Sequence, residues 1–287
     1  MLRFAFLMLL SADLSAAAAS VDFDTAAQVY QAAQVRVQVR ASLVSMPEKM
    51  RQMFSADAAG RLTTEQLDAV VAGASRGFRI DVFEPPAIAA FAANLDPSAA
   101  RKTLEFLAGD LGRRMVAADV ALAANDSATV DKIMAGGLAA PSTPQRDALI
   151  AKLEEDAHST EGALQVYLRM GRSIAIGTAI GEGADPIAAD ERAQKAVDTE
   201  AREKLAAGLR TSLRHYMAYG YRDLSDADLK GLQSFLESKA GKAYVHAYTQ
   251  AMDAGFDAMS RRCGERIGEA WRELSANAAR NRSNDGR

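Results

Sequence analysis

Apolar residues recur at three- and four-residue spacings along most of the chain, and the clearest run follows Ser225. Leu229, Leu232, Phe235 and Leu236 fall on one helical face. Ser225 with Asp228 three residues on is a capping-box pattern, and Asp226 and Asp228 put negative charge where the helix dipole is positive. Ser238 can cap a second helix almost without a loop. Its stripe runs through Val245, Tyr248, Met252, Phe256, Met259, Cys263, Ile267, Ala270 and Leu274, which predicts one helix of roughly ten turns. Gly241 stands in the first turn of that helix. A bare Cα there suits a neighbouring helix crossing close by, and an added methyl is expected to be tolerated.

The rest of the chain reads as helices with punctuation. Between Asp24 and Met46, Val35, Val37 and Val39 alternate with Arg36, Gln38 and Arg40 in the strand pattern. Tyr30, Ala33, Val37, Ala41 and Val44 share a helical face, and a lone strand would have no partner, so helix is expected. Pro47 suits the first turn of a helix bearing Met50, Met53 and Phe54, which Gly60 ends. Thr63 and Gln66 form a capping box before Leu67, Val70, Val71 and Ala74, with Gly77 near the helix end. Pro85–Pro86 then break the chain before a short helix through Ile88 and Phe91. Asp96 caps and Pro97 starts a helix with Leu104, Phe106 and Leu107; the pattern continues through Gly112, Met115 and Val116 to Leu122. Thr143 and Pro144 open a helix with Leu149, Ile150 and Leu153, followed by Leu164, Tyr167 and Leu168. Gly171, Gly177, Gly181 and Gly183 interrupt the next apolar run. Pro186 starts a long charged helix through Ala206 to Met217, and the polar tail from Asn277 is expected to be disordered.

A shift of 129 residues lays Leu95, Phe106, Leu107, Gly112, Val116 and Ala118 on Leu224, Phe235, Leu236, Gly241, Val245 and Ala247. These include the residue before the cap, the core pair and the joint glycine, which favours duplication over chance. Gly109 replaces Ser238, so the first joint lacks that cap. The fold expected is all-α, a helical bundle of two related multi-helix units at 24–140 and 141–275 with a long amphipathic C-terminal helix, and a polar tail at 276–287.

Composition narrows the function classes. Hydrophobic residues make up 49% of the 287 residues and charged ones 25%, an ordinary globular balance. The net charge of −3 offers nothing general to nucleic acid. The first twenty residues read as a signal peptide: Arg3, an apolar core at Phe4–Leu10, and small residues at Ala16–Ala19. A buried N-terminal helix is the alternative, and Asp13 is untidy for a leader. No later run reaches the ~20 apolar residues of a membrane span. The mature chain is therefore expected outside the cytoplasm, periplasmic or secreted. Cys263 is the lone cysteine, and its place on the apolar stripe favours a small buried hydrophobe over a reactive thiol.

The stretch 219–248, with L-S-D-A-D-L-K at Leu224–Lys230 and F-L-E-S-K-A-G-K at Phe235–Lys242, resembles the bacterial secreted family called domain of unknown function (DUF) 2059. A degenerate second copy falls near 90–119. The family usually has Pro after the capping Ser, where this chain has Lys239, so the joint is less constrained. The resemblance implies a helical, exported protein, and it assigns no catalytic residues.

Motifs for chemistry are sparse. The run GTAIGEG at Gly177–Gly183 has the glycines of a phosphate loop but lacks the Gly-Lys-Ser/Thr ending and follows no strand. AGKA at Ala240–Ala243 has Gly-Lys followed by Ala243, and Leu236 where the first loop glycine belongs. His158, His215 and His246 show no helical metal spacing. Glu154, Glu155 and Asp156 beside His158 could hold a cation, but a solvated acidic face is the preferred reading. Arg261, Arg262, Arg266, Arg272, Arg280, Arg282 and Arg287 interleave with Glu265, Glu269 and Glu273, which favours an ion-paired face over attachment to an anionic envelope surface. No catalytic, cofactor-binding or metal-binding residue is assigned, and no cofactor is expected. The function expected is that of an interaction or accessory protein of the cell envelope, with a protein or the envelope surface as partner. The alternative is an envelope-acting hydrolase drawing acids and bases from Glu154, Asp156, His158, His215 and His246.

Overall fold

The computed structural model of the chain describes residues 20–44, 46–57, 63–138, 140, 142–194 and 199–285. The expected leader at 1–20 lies outside them except for Ser20, as does the helix stop at Gly60. All regular structure among the described residues is α-helical. The N-terminal half comprises α1 (Phe23–Ala32), α2 (Val35–Val44), α3 (Met46–Asp57), α4 (Thr64–Gly77), α5 (Ile80–Asn94), α6 (Pro97–Ala108), α7 (Asp110–Ala123) and α8 (Ser127–Met134). The rest comprises α9 (Pro144–Asp156), α10 (Ser159–Gly181), α11 (Pro186–Gln194), α12 (Thr199–Gly220), α13 (Asp226–Glu237) and α14 (Lys239–Asp285). The caps read from the sequence are in place: Thr63, Asp96, Thr143 and Ser225 each accept a first-turn backbone N–H, and Thr63 and Ser225 complete capping boxes with Gln66 and Asp228.

The long last helix is the axis of the molecule. It packs against α4, α5, α6, α10 and α13, and Ala247, Ala251, Met259 and Cys263 along it are fully buried. One apolar core draws on both halves, from Val29, Phe83 and Phe91 to Leu153, Leu229 and Ile267.

Glycine brings the neighbours of α14 to backbone contact. Helices α10 and α14 run parallel in register, Gly177 beside Gly264 and Gly181 beside Gly268. Each carries the same Ser-x-x-x-Gly-x-x-x-Gly spacing, Ser173–Gly181 and Ser260–Gly268. A Cβ on Gly177 would stand 2.3 Å from the Arg261 carbonyl oxygen, and one on Gly181 2.4 Å from that of Glu265. On the opposite face of α14, Gly77 of α4 lies so close that a Cβ would stand 2.3 Å from the Cα of Cys263. The GTAIGEG run is therefore helix-packing surface, not a phosphate loop.

The two segments that align at the 129-residue shift fold into matching corners. Gly109 between α6 and α7 has φ −70° and ψ 167°; Ser238 between α13 and α14 has −65° and 158°. At both, the corner N–H donates to the carbonyl of the core Phe three residues back at 3.0 Å. Ser238 adds the expected cap, its Oγ accepting from the Gly241 N–H at 3.0 Å. Phe106 and Phe235 stack on each other with centroids 3.8 Å apart and planes 2° from parallel, joining one corner to the other.

Several expectations need correction. Pro85 and Pro86 lie inside α5, where burial of Phe83, Ala87 and Phe91 outweighs two lost backbone hydrogen bonds. Gly171 and Gly177 do not interrupt α10, which ends only at Gly181, before Gly183 at φ +97°. The helix expected over 24–46 is broken at Gln34, φ 53°. The polar stretch after Asn277, expected to be disordered, continues α14 to Asp285. Tyr167 is 60% exposed and leaves the stripe it was read into. Gly241 is needed for closeness, but its neighbour is the end of α13 within the same corner, not a crossing helix.

Candidate functional site

The structure gathers a constellation that the motifs did not show. Helix α7 carries Gly112, Met115 and Leu122 on its buried face, and Asp119 lies on that face between Met115 and Leu122. The α13 cap turns the chain so that Tyr221 comes under α7, and Arg146 of α9 fixes the turn. Its guanidinium, buried, donates to the Tyr221 carbonyl at 2.6 Å and pairs with Asp226 at 2.9 Å. The Tyr221 side chain then engages Asp119 by a hydrogen bond.

Asp119 lines a half-open cavity of about 210 Å³ bordered by four helices. Helix α2 contributes Gln38, Val39 and Ser42; α7 adds Leu122 and Ala123; α12 adds Tyr216; and α14 adds Tyr248, Met252 and Phe256. Tyr244 lies behind, close enough to feel the Asp119 charge. No lysine, arginine, histidine or second carboxylate is among the described residues lining the cavity. A larger hollow of about 500 Å³ is bordered only by α14 residues such as Arg272 and Arg280, so it has no opposing wall.

The electrostatics follow from that isolation. Removal from water pushes Asp119 up to about 7, and the Tyr221 hydrogen bond only partly offsets the effect. The same burial and the Asp119 charge raise Tyr216, Tyr221 and Tyr248, keeping them neutral donors. Asp119 therefore keeps its proton in the folded protein across the window from its ordinary 3.8 to about 7, where an unfolded chain has lost it. The folded state binds more protons there, so this contribution is full below the unfolded value and is lost as pH rises towards 7. Allowing for residual hydration through the cavity, the loss is about 2 kcal/mol. Urea melts of Asp119→Asn and wild type should show the variant gaining by that amount from about pH 4 to pH 7 and levelling above. A constant difference across the series would mean that Asp119 titrates as a solvated carboxylate.

The residues weighed from sequence lie elsewhere and are not brought together. Glu154 is buried rather than solvated: it accepts from Thr160 Oγ1 at 2.6 Å, caps the start of α10, and faces Arg214 at 3.4 Å. Asp156 pairs with Lys152 at 2.8 Å. His158 is the exposed turn residue before α10, at φ 48°. His215 Nδ1 lies 3.2 Å from the Met134 carbonyl oxygen, and His246 is exposed on α14. Among the described residues no group of His, Cys, Asp and Glu is arranged to hold a metal ion. Cys263 is fully buried, and burial pushes its thiol up to about 12, the state of an inert hydrophobe. The arginines of α14 do pair along the helix, Arg262 with Glu265 at 2.8 Å and Arg266 with Glu269 at 2.6 Å.

Two signals in the sequence point to the cavity once its geometry is known. Asp119 is a lone acid on an apolar stripe, four residues after Met115 and three before Leu122. Five of the seven tyrosines fall within 216–248, a stretch that overlaps the 219–248 segment read as similar to DUF2059. No family model matches the chain, and comparison with curated proteins and with solved structures likewise finds no match. Among the described residues no helix is long and apolar enough to cross a membrane.

Proposed function

We propose that this chain is an exported accessory protein of the bacterial envelope that acts by binding, and that the Asp119 cavity is its ligand site. One observation carries the binding site: a half-buried carboxylate with no cationic side chain among the described residues that line its cavity, which is walled by helices from both halves. Such a group is costly unless something compensates it, and cavities of this kind are where ligands are taken up. Export rests on the leader-like first twenty residues and on the DUF2059-like stretch.

Catalysis is the second reading, because a carboxyl near 7 can exchange a proton at neutral pH. The cavity offers that acid no histidine, cysteine or second carboxylate to work with. Binding is the better supported of the two.

The test uses the protein purified from its own envelope fraction and native mass spectrometry. A small molecule should be released on denaturation from wild type and be missing from Ala123→Trp, whose indole fills the cavity. Failure of wild type to release any small molecule would overturn the reading, as would equal release from both proteins. Cell fractionation checks export, which requires the chain outside the cytoplasm and shortened by about twenty residues.

A further inference from the structure

We infer that the Asp119 cavity takes a small organic cation, an ammonium group carrying methyl substituents. The inference rests on the ligand-site reading above and deepens it. A carboxylate and several aromatic rings around a small space are what a methylated ammonium needs. The anion supplies the charge, and Tyr216, Tyr248 and Phe256 supply π-systems and apolar contact that a hydrated metal ion would not use. Inorganic cations bind through several oxygens in a shell, whereas this cavity offers one carboxylate and methyl-sized apolar surface such as Met252 and Leu122. An anionic ligand would meet Asp119 with no arginine or lysine to hold it. On the α2 side Gln38 Nε2 donates to the Ala33 carbonyl at 2.9 Å and Ser42 Oγ to the Gln38 carbonyl at 3.1 Å, so a hydroxyl attached to the cation would donate to their side-chain oxygens.

The titratable groups facing Asp119 are Tyr216 of α12, Tyr221 after it, and Tyr244 and Tyr248 of α14. From α2 the facing residues Gln38, Val39 and Ser42 do not titrate. All four tyrosines are raised and stay neutral near pH 7, so Asp119 alone changes charge there. The cation should therefore bind the ionised form and lose affinity as Asp119 takes up its proton. Its Kd should rise by about tenfold between pH 8 and pH 6.

Isothermal titration of the full chain with choline, and with 3,3-dimethyl-1-butanol, its uncharged isostere, tests the proposal. Choline should bind at pH 8 about tenfold or more tightly than the alcohol, and Asp119→Asn should remove that preference while still binding the alcohol. Tyr216→Leu, which leaves Asp119 in place, should weaken choline by about threefold to tenfold. Equal affinity for choline and the alcohol would overturn the cation and leave the cavity as a ligand site. Absence of binding by either probe would overturn the cation as well, and the mass spectrum described above then decides whether the site reading falls with it.

Discussion

Gly264→Ala is expected to cost about 4 kcal/mol or more, in the range where single substitutions abolish folding of a marginal domain. A Cβ there would stand 2.2 Å from the Ile174 carbonyl oxygen, 2.8 Å from the Thr178 nitrogen and 3.0 Å from the Gly177 Cα. All three are backbone atoms of a packed helix, so no side chain can turn aside. Relief requires α10 and α14 to separate along their parallel contact, which opens Ile176 and Ile267 nearby, both almost fully buried. Gly177→Ala should behave alike, since its Cβ meets the same seam from the other side. Gly171 and Gly208, also within helices, have nothing within 4 Å of the corresponding position. Alanine at either should stabilise by about 0.5–1 kcal/mol, the usual gain in a helix interior. Thermal melts of the four variants separate the two behaviours. Melting temperatures that rise for Gly264→Ala as for Gly208→Ala would mean that the helices are not in backbone contact.

Gly241→Ala and Gly112→Ala are expected to destabilise by about 3 kcal/mol each, and by similar amounts. At Gly241 the added Cβ would stand 2.0 Å from the Phe235 carbonyl oxygen and 2.8 Å from the Leu236 Cα. At Gly112 the matching distances, to Phe106 and Leu107, are 2.1 Å and 2.7 Å. The clash lies within the corner, between the first turn of one helix and a last-turn carbonyl of the previous one. It therefore does not depend on how the corner packs against the rest. Chemical denaturation of both variants checks this, and a large cost at one corner with none at the other would break their equivalence. The sequence pattern alone predicts a tolerated methyl at Gly241; the corner geometry reverses that expectation.

That reversal shows what the sequence made legible. Helix identity, the capping residues and the long stripe of α14 were all readable, because they rest on local hydrogen bonding and a 3.6-residue period. The paired corners were readable because the residues that close them, Phe106, Leu107 and Gly112 against Phe235, Leu236 and Gly241, repeat at one spacing. What a glycine is close to was not readable. Gly177 breaks an apolar run in one dimension, and only the register of α10 on α14 makes it a contact. Pro85 and Pro86 misled for the same reason, since the burial of Phe83 and Phe91 that holds α5 together is tertiary. Asp119 went unmarked because a single acid on a stripe becomes a candidate site only when Tyr216, Tyr221 and Tyr248, about a hundred residues later, fold against it.

That α14 follows its packing partners in the chain has a consequence for the order of events during synthesis. Its partners α4, α5, α6 and α10 are all made earlier, and α14 packs against each of them. Phe83, for example, lies against Gly255 and in an edge contact with Phe256. Contacts of such sequence separation form late and cost the most chain entropy. A nascent chain from which α14 has not yet emerged has no finished core to lock, and so stays threadable until that helix is made. That is the state a chain must keep if it is to leave the cytoplasm unfolded, as the export proposed for this protein requires.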